Sequence, residues 1–199
     1  MLLAHVVPGY FVATTTTTAL ELNPWQRRVL WAAALGSTIA PDTDVIYNAL
    51  FRGFIGHSTL YTHSLFVHCI PAVFALIFCF MGRKFLAVLC LVIMLGGMSH
   101  LLLDVIAHNT PLFYPLSSRM IGDAPQYITG GGLRHYVTHP LFLIEPFLLL
   151  MTALHWIGSR AWPPQRRAVL TVSLIGGWLL ASLAFMVTLP WLRSVILWG

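Results

Sequence analysis

Apolar residues along this chain gather into long blocks that short polar turns separate. One block runs from His63 to Met81, Gly82-Arg83-Lys84 interrupts it, and a second runs from Phe85 to Ala107. As helices, both are long enough to cross a hydrocarbon core of about 30 Å, which predicts a transmembrane hairpin. A second hairpin is predicted from Pro140 to Ile157 and from Ala168 to Leu189, around a turn that holds Arg160, Pro163, Pro164, Arg166 and Arg167. Residues 1–22 are apolar too, but they contain His5, Pro8, Gly9 and the tract Thr14 to Thr18 without the basic start of a secretory signal. They read as a membrane-inserted or interfacial helix that stays attached. Residues 29–50 hold Pro41, Asp42 and Asp44, and carboxylates in lipid are costly, so this block is expected to end in a polar pocket and not to span. The expected fold is all-α: an integral membrane helical bundle of about four transmembrane helices plus N-terminal membrane-inserted or interfacial helices, one domain over 1–199.

Composition supports lipid as the solvent. Of 199 residues 58% are hydrophobic and 9% charged, against about a quarter charged in soluble domains, and the mean hydropathy is +0.80. This excludes a free-standing soluble domain, a disordered chain and a nucleic-acid-binding tail. The net charge of +5 is expected to serve topology and anionic headgroups. Arg83, Lys84, Arg160, Arg166 and Arg167 crowd the two tight turns, which the positive-inside rule places in the cytoplasm. Arg27, Arg28, Arg52, Arg119, Arg134 and Arg193 fall on the opposite side, in longer segments. Cys69, Cys79 and Cys90 lie in apolar blocks without a CxxC spacing and read as buried thiols. The Gly-rich stretch Gly130 to Gly132 sits in the long connection from His108 to His139, a candidate flexible cover.

The chemistry lies in the few acids and the nine histidines. Asp42, Asp44 and Asp104 stand in or beside apolar blocks, where carboxylates persist only if paired, protonated or bound to a cation. His100 and Asp104 are four apart and share one helix face, about 6 Å from each other. Counted outward from Arg83, His63 lies 20 residues back and His100 17 forward, rises of roughly 30 and 25 Å, so the two rings reach similar depths. Three candidate ligands thus converge at the outward end of one hairpin, with Pro41-Asp42-Thr43-Asp44 just upstream. Taken singly, each such residue more often hydrogen-bonds across a helix pair; taken together, they suit a divalent metal, with zinc, manganese or iron matching the N/O donors. His68 and His155 read as packing or interface residues, and His135 and His139, with Glu145, as polar residues at a helix start.

The order of these motifs resembles the YdjM-like family of predicted membrane-bound metal-dependent hydrolases of the bacterial inner membrane. The residues that carry the resemblance are His5, the P-D-T-D of 41–44, His57 through Tyr61-Thr62-His63-Ser64, Ser99-His100 to Asp104, then Thr110-Pro111 and Tyr114-Pro115. They cover residues 1–119; the hairpin at 140–189 has no diagnostic motif. Ser58 stands where the family has an arginine, and His57 is six residues from His63, not five. Arg52 and Arg119 are alternative guanidiniums for gripping a phosphate.

The family in turn is similar to the zinc-dependent phospholipase C and single-strand nuclease group. That resemblance implies a metal set of His5, Asp42 or Asp44, His63, His100 and Asp104, with one or two ions and zinc first, and with Asp104 able to bridge them. It implies catalytic roles for Asp44 and His57, and it leaves open which carboxylate of the P-D-x-D motif is ligand and which is base. Ser64 is a candidate to orient His63. The expected function is hydrolysis, by a metal-activated water, of a phosphoester in a lipid or lipid-linked substrate, in the inner membrane with the site at the non-cytoplasmic face and no nucleic-acid partner. The alternatives are a small transporter or proton-binding protein built on the same Asp/His cluster, and a structural membrane protein with a stabilising metal.

Overall fold

The computed structural model describes residues 4–53, 61–107, 109–122 and 137–198, with residues 196–198 described by their backbone alone. His57, His108, Arg134, His135 and the Gly130–Gly132 stretch lie outside the described residues. What is described is helical, with one isolated β-bridge in which Thr110 and Ile121 exchange two backbone hydrogen bonds of 2.8 Å. The chain forms two compact units, Pro8–Ala124 and Met1–Val7 with Pro125–Gly199.

In the first unit, α1 (Val6–Ala19) carries the threonine tract, and Thr14, Thr17 and Thr18 turn their hydroxyls back onto carbonyls three or four residues earlier. That is how hydroxyls are satisfied on a helix in apolar surroundings. α2 (Pro24–Ile39) starts at a capping box: Asn23 Oδ1 accepts the Gln26 N–H at 2.9 Å, and Gln26 Oε1 accepts the Asn23 N–H at 3.1 Å. A 3-10 turn (Ala40–Asp42) and the short α3 (Thr43–Tyr47) follow, then a π-turn over Asn48–Arg52 that Gly53 ends at φ +68°. α4 (Leu65–Phe80) and α5 (Lys84–Ala107) are the antiparallel hairpin, with α5 packed on α2 as well. Ala13, Leu30, Ala34 and Val92 form the core that joins α1, α2 and α5. Small residues make the approach possible. A Cβ on Gly9 would sit 2.6 Å from the Ala34 carbonyl, and side chains on Gly96 and Gly97 would overlap Ser37 and His68.

The second unit contains α6 (Ile144–Gly158), preceded by a 3-10 turn (Pro140–Leu143), and α7 (Pro164–Trp198), packed as a hairpin. Among the described residues, three helical stretches are long and apolar enough to cross a membrane: Lys84–Ala107, Pro140–Gly158 and Pro164–Val195. The expected first span is shorter than the apolar block that predicted it. Ser64 caps α4 by accepting the Phe66 N–H, so the helix begins at Leu65 and its 16 residues rise about 24 Å. On α7, Val169, Val172, Leu180, Leu183 and Val187 are all exposed, an apolar surface that lipid covers without cost.

Candidate metal centre

The buried polar residues of the first unit meet where the 3-10 turn after α2 packs against α5 and against a second 3-10 turn, Tyr61–His63. Asp44, Asn48, His63, His100 and Asp104 are each completely buried. His63 is not part of α4, as the apolar pattern suggested, but stands in the turn before its cap. That turn is fixed from outside: His68, one turn into α4, donates Nε2–H to the Thr62 carbonyl at 2.8 Å, and Thr62 Oγ1 lies 3.2 Å from His63 Nδ1. Ser64 does not orient His63; its hydroxyl donates to the Tyr114 carbonyl and tethers the segment after α5.

The two aspartates of P-D-T-D serve different histidines. His63 Nδ1 is 3.3 Å from Asp44 Oδ2, and His100 Nε2 is 3.5 Å from Asp42 Oδ1. Asp104 joins them, for its Oδ2 is 3.3 Å from His63 Nε2 and 3.1 Å from His100 Nε2. The two rings meet edge-on at 5.5 Å. One donor atom each from His63, His100 and Asp104 all lie within 4.8 Å of one another.

The donor set fits a divalent cation. His100 Nδ1 is 2.7 Å from the Thr38 carbonyl, which can only accept, so the ring proton sits on Nδ1. In a neutral ring the Nε2 lone pair then faces carboxylate oxygens of Asp104 and Asp42. That arrangement is repulsive unless a cation or a proton is shared there. With neutral rings the three carboxylates sum to −3, and two of them, Asp44 and Asp104, have no exposure at all. Burial by itself lowers the His63 pKa, but the carboxylates of Asp104 and Asp44 outweigh it and hold it at about 9. Without metal, a proton on this ring supplies part of the missing positive charge.

Asp42 is the accessible member, with 29% of its side chain exposed. Arg52 ends the π-turn, exposed, with its guanidinium 5.6 Å from the Tyr47 ring centroid, and Arg119 is exposed after α5. His5 is buried just before α1 and is grouped with the second unit. There His139 caps the 3-10 turn by accepting the Leu141 N–H at 3.2 Å, and Glu145 is buried in the first turn of α6. The sequence reading passed over Asn48, whose signal was its i, i+4 spacing from Asp44, and over Thr38, which acts through its backbone and left no signal.

These features define an integral membrane helical protein with a buried His/Asp cluster suited to a divalent metal. Its affiliation is shown directly: the YdjM inner membrane protein family matches residues 1–194, and the chain belongs to that family. No curated protein and no solved structure matches it.

Proposed function

We propose that the chain is a membrane-bound metal-dependent hydrolase acting on a phosphoester of a lipid or lipid-linked substrate. The observation that carries this reading is the sharing of Asp104 Oδ2 by Nε2 of both His63 and His100, with the Nδ1 proton of His100 tied to a backbone carbonyl. His63, His100 and Asp104 would hold the ion, with zinc first by donor type and manganese or iron also suited. What such an ion supplies when bound is a more acidic water and polarisation of a phosphoryl oxygen. Asp44, buried against Nδ1 of His63, fixes the orientation of that ring, as the Thr38 carbonyl does for His100. Asp42, 3.5 Å from His100 Nε2 and partly exposed, would accept a proton from water in this reading, the base role that the P-D-x-D motif left open between it and Asp44. His5 enters the ligand set through the family resemblance. Arg52 and Arg119, both exposed, offer guanidiniums for the phosphate of a substrate that arrives from the bilayer.

The test is elemental analysis of the purified full-length protein beside His100→Ala and Asp104→Ala, followed by assays on lipid phosphoesters in mixed micelles. Near-stoichiometric metal that both variants lose, together with metal-dependent phosphate-ester cleavage, supports the proposal. Folded protein that is metal-free and takes up no added ion overturns it in favour of a proton relay; full metal without cleavage leaves a structural site.

A further inference from the structure

The second unit carries a surface that this chemistry does not use. The seam between α6 and α7 carries two shallow, open hollows, about 500 Å³ beside the Arg160–Arg167 turn and about 350 Å³ further along the hairpin. On α6 they are lined from Gly158 back to Pro146 at helical spacing, and on α7 by one face that includes Arg167 and Gly177. The thirteen residues of α6 from Pro146 to Gly158 make a track of about 18 Å, roughly one leaflet of a 30 Å hydrocarbon core.

The turn end of the track is cationic and aromatic. Arg167 lines the nearer hollow itself. The Arg160 guanidinium lies 4.8 Å from the Trp156 ring centroid and that of Arg166 4.7 Å from Trp162, and the two indoles pack edge-on at 5.3 Å. Tryptophans of this kind sit at the membrane interface, and arginine is the side chain that grips phosphate bidentately. From Pro146 to Gly199 the sequence has no acidic residue. A helix of a second copy laid in this seam would leave the arginines facing apolar side chains, whereas an amphiphile with an anionic head satisfies both ends.

We infer that the α6–α7 seam is a binding groove for an anionic phospholipid, with its phosphate on Arg160, Arg166 and Arg167 and one acyl chain along Gly158, Ala153 and Gly177. The site is separate from the His/Asp cluster and does not rest on the hydrolase reading.

Native mass spectrometry of the full-length protein, given phosphatidylglycerol or phosphatidylcholine with the same acyl chains, measures the retained lipid. Phosphatidylglycerol is expected to be retained about tenfold more strongly, the effect of one or more arginine–headgroup contacts. The triple variant Arg160→Gln, Arg166→Gln, Arg167→Gln should lose that preference. A Cβ at Gly177 meets nothing within 4 Å, and leucine favours helix, so Gly177→Leu folds while filling the groove. It should bind phosphatidylglycerol roughly tenfold less, whereas Gly176→Leu, equally open but off the seam, behaves as wild type. Equal retention of the two lipids, wild-type retention by the triple variant or by Gly177→Leu, or a dimer that Gly177→Leu disperses overturns the inference. Retention should be unchanged after chelation, so its failure is read separately from failure of the metal site.

Discussion

Treating the protein with a chelator turns His63 into a measurable stability element. An unfolded histidine titrates near 6.5, whereas in the fold burial lowers the value but Asp104 and Asp44 raise it further, to about 9. Because the folded value is the higher one, the stabilisation is fully present below pH 6.5, declines as pH rises from there, and is gone above about 9. At roughly 1.4 kcal/mol for each pH unit, that interval is worth about 3 kcal/mol. For a chain of this size it corresponds to a loss of roughly 6–12 °C in melting temperature. The assay is thermal unfolding in detergent with chelator, followed by tryptophan fluorescence from pH 6.5 to 9.5. Asp104→Asn keeps the shape of the side chain and leaves Asp44 as the only carboxylate among the two that hold the proton, while the lowering by burial is unchanged, so the loss should shrink to well under half. Metal-loaded protein should show the opposite trend, since ligands bind deprotonated and the ion stabilises more as pH rises. A metal-free melting temperature that is flat or rises over this range, or an Asp104→Asn variant with the wild-type slope, refutes the reasoning.

Gly97→Ala drives a methyl group into the His68 ring and should cost about 1–3 kcal/mol and weaken metal retention, because His68 holds the turn that carries His63; Gly36→Ala, with open space around it, is the neutral control by the same melting and metal assays. Thr38→Val should leave metal content unchanged, since the group that orients His100 is the Thr38 carbonyl and not its hydroxyl, which bonds the Leu35 carbonyl; loss of metal would show that the side chain matters. Ser64→Ala removes a helix cap and the bond to the Tyr114 carbonyl, and should lower stability by about 1–2 kcal/mol with metal content intact. Arg52→Gln and Arg119→Gln should raise KM for a lipid phosphoester severalfold with little change in kcat; a fall in kcat alone would place them in the chemistry instead.

The helical class and the hairpins were legible because apolar block length is a direct readout of the solvent. Block length is a poorer guide to where a helix starts. His63 and Leu65 belong to one apolar run, yet Ser64 between them accepts a backbone N–H, and that one hydrogen bond moves the boundary past His63 and shortens α4 to 16 residues. The opposite error occurs at α7, which continues through Pro190 to Trp198 although the apolar pattern ended it at Leu189. A proline inside a membrane helix removes one backbone bond without ending the helix when neighbouring groups take up the loss.

At the site, the residue types and the convergence of His63, His100 and Asp104 were readable from spacing, but the division of labour between Asp42 and Asp44 was not. Two residues apart, they leave a tight turn in different directions, and only the fold shows that one meets His63 and the other His100. The orienting groups were illegible for a second reason: the Thr38 and Thr62 carbonyls exist at every residue and carry no sequence signature. Their placement nevertheless decides the chemistry. With the Nδ1 proton of His100 held by a carbonyl, its remaining nitrogen faces two carboxylates, and with Asp44 on one side of His63, the other side faces Asp104. A site arranged in this way is stable only with positive charge between its Nε2 atoms and Asp104. A proton satisfies that need poorly at alkaline pH and a divalent ion satisfies it well, so the same geometry that destabilises the metal-free protein above pH 9 is what would select for the metal.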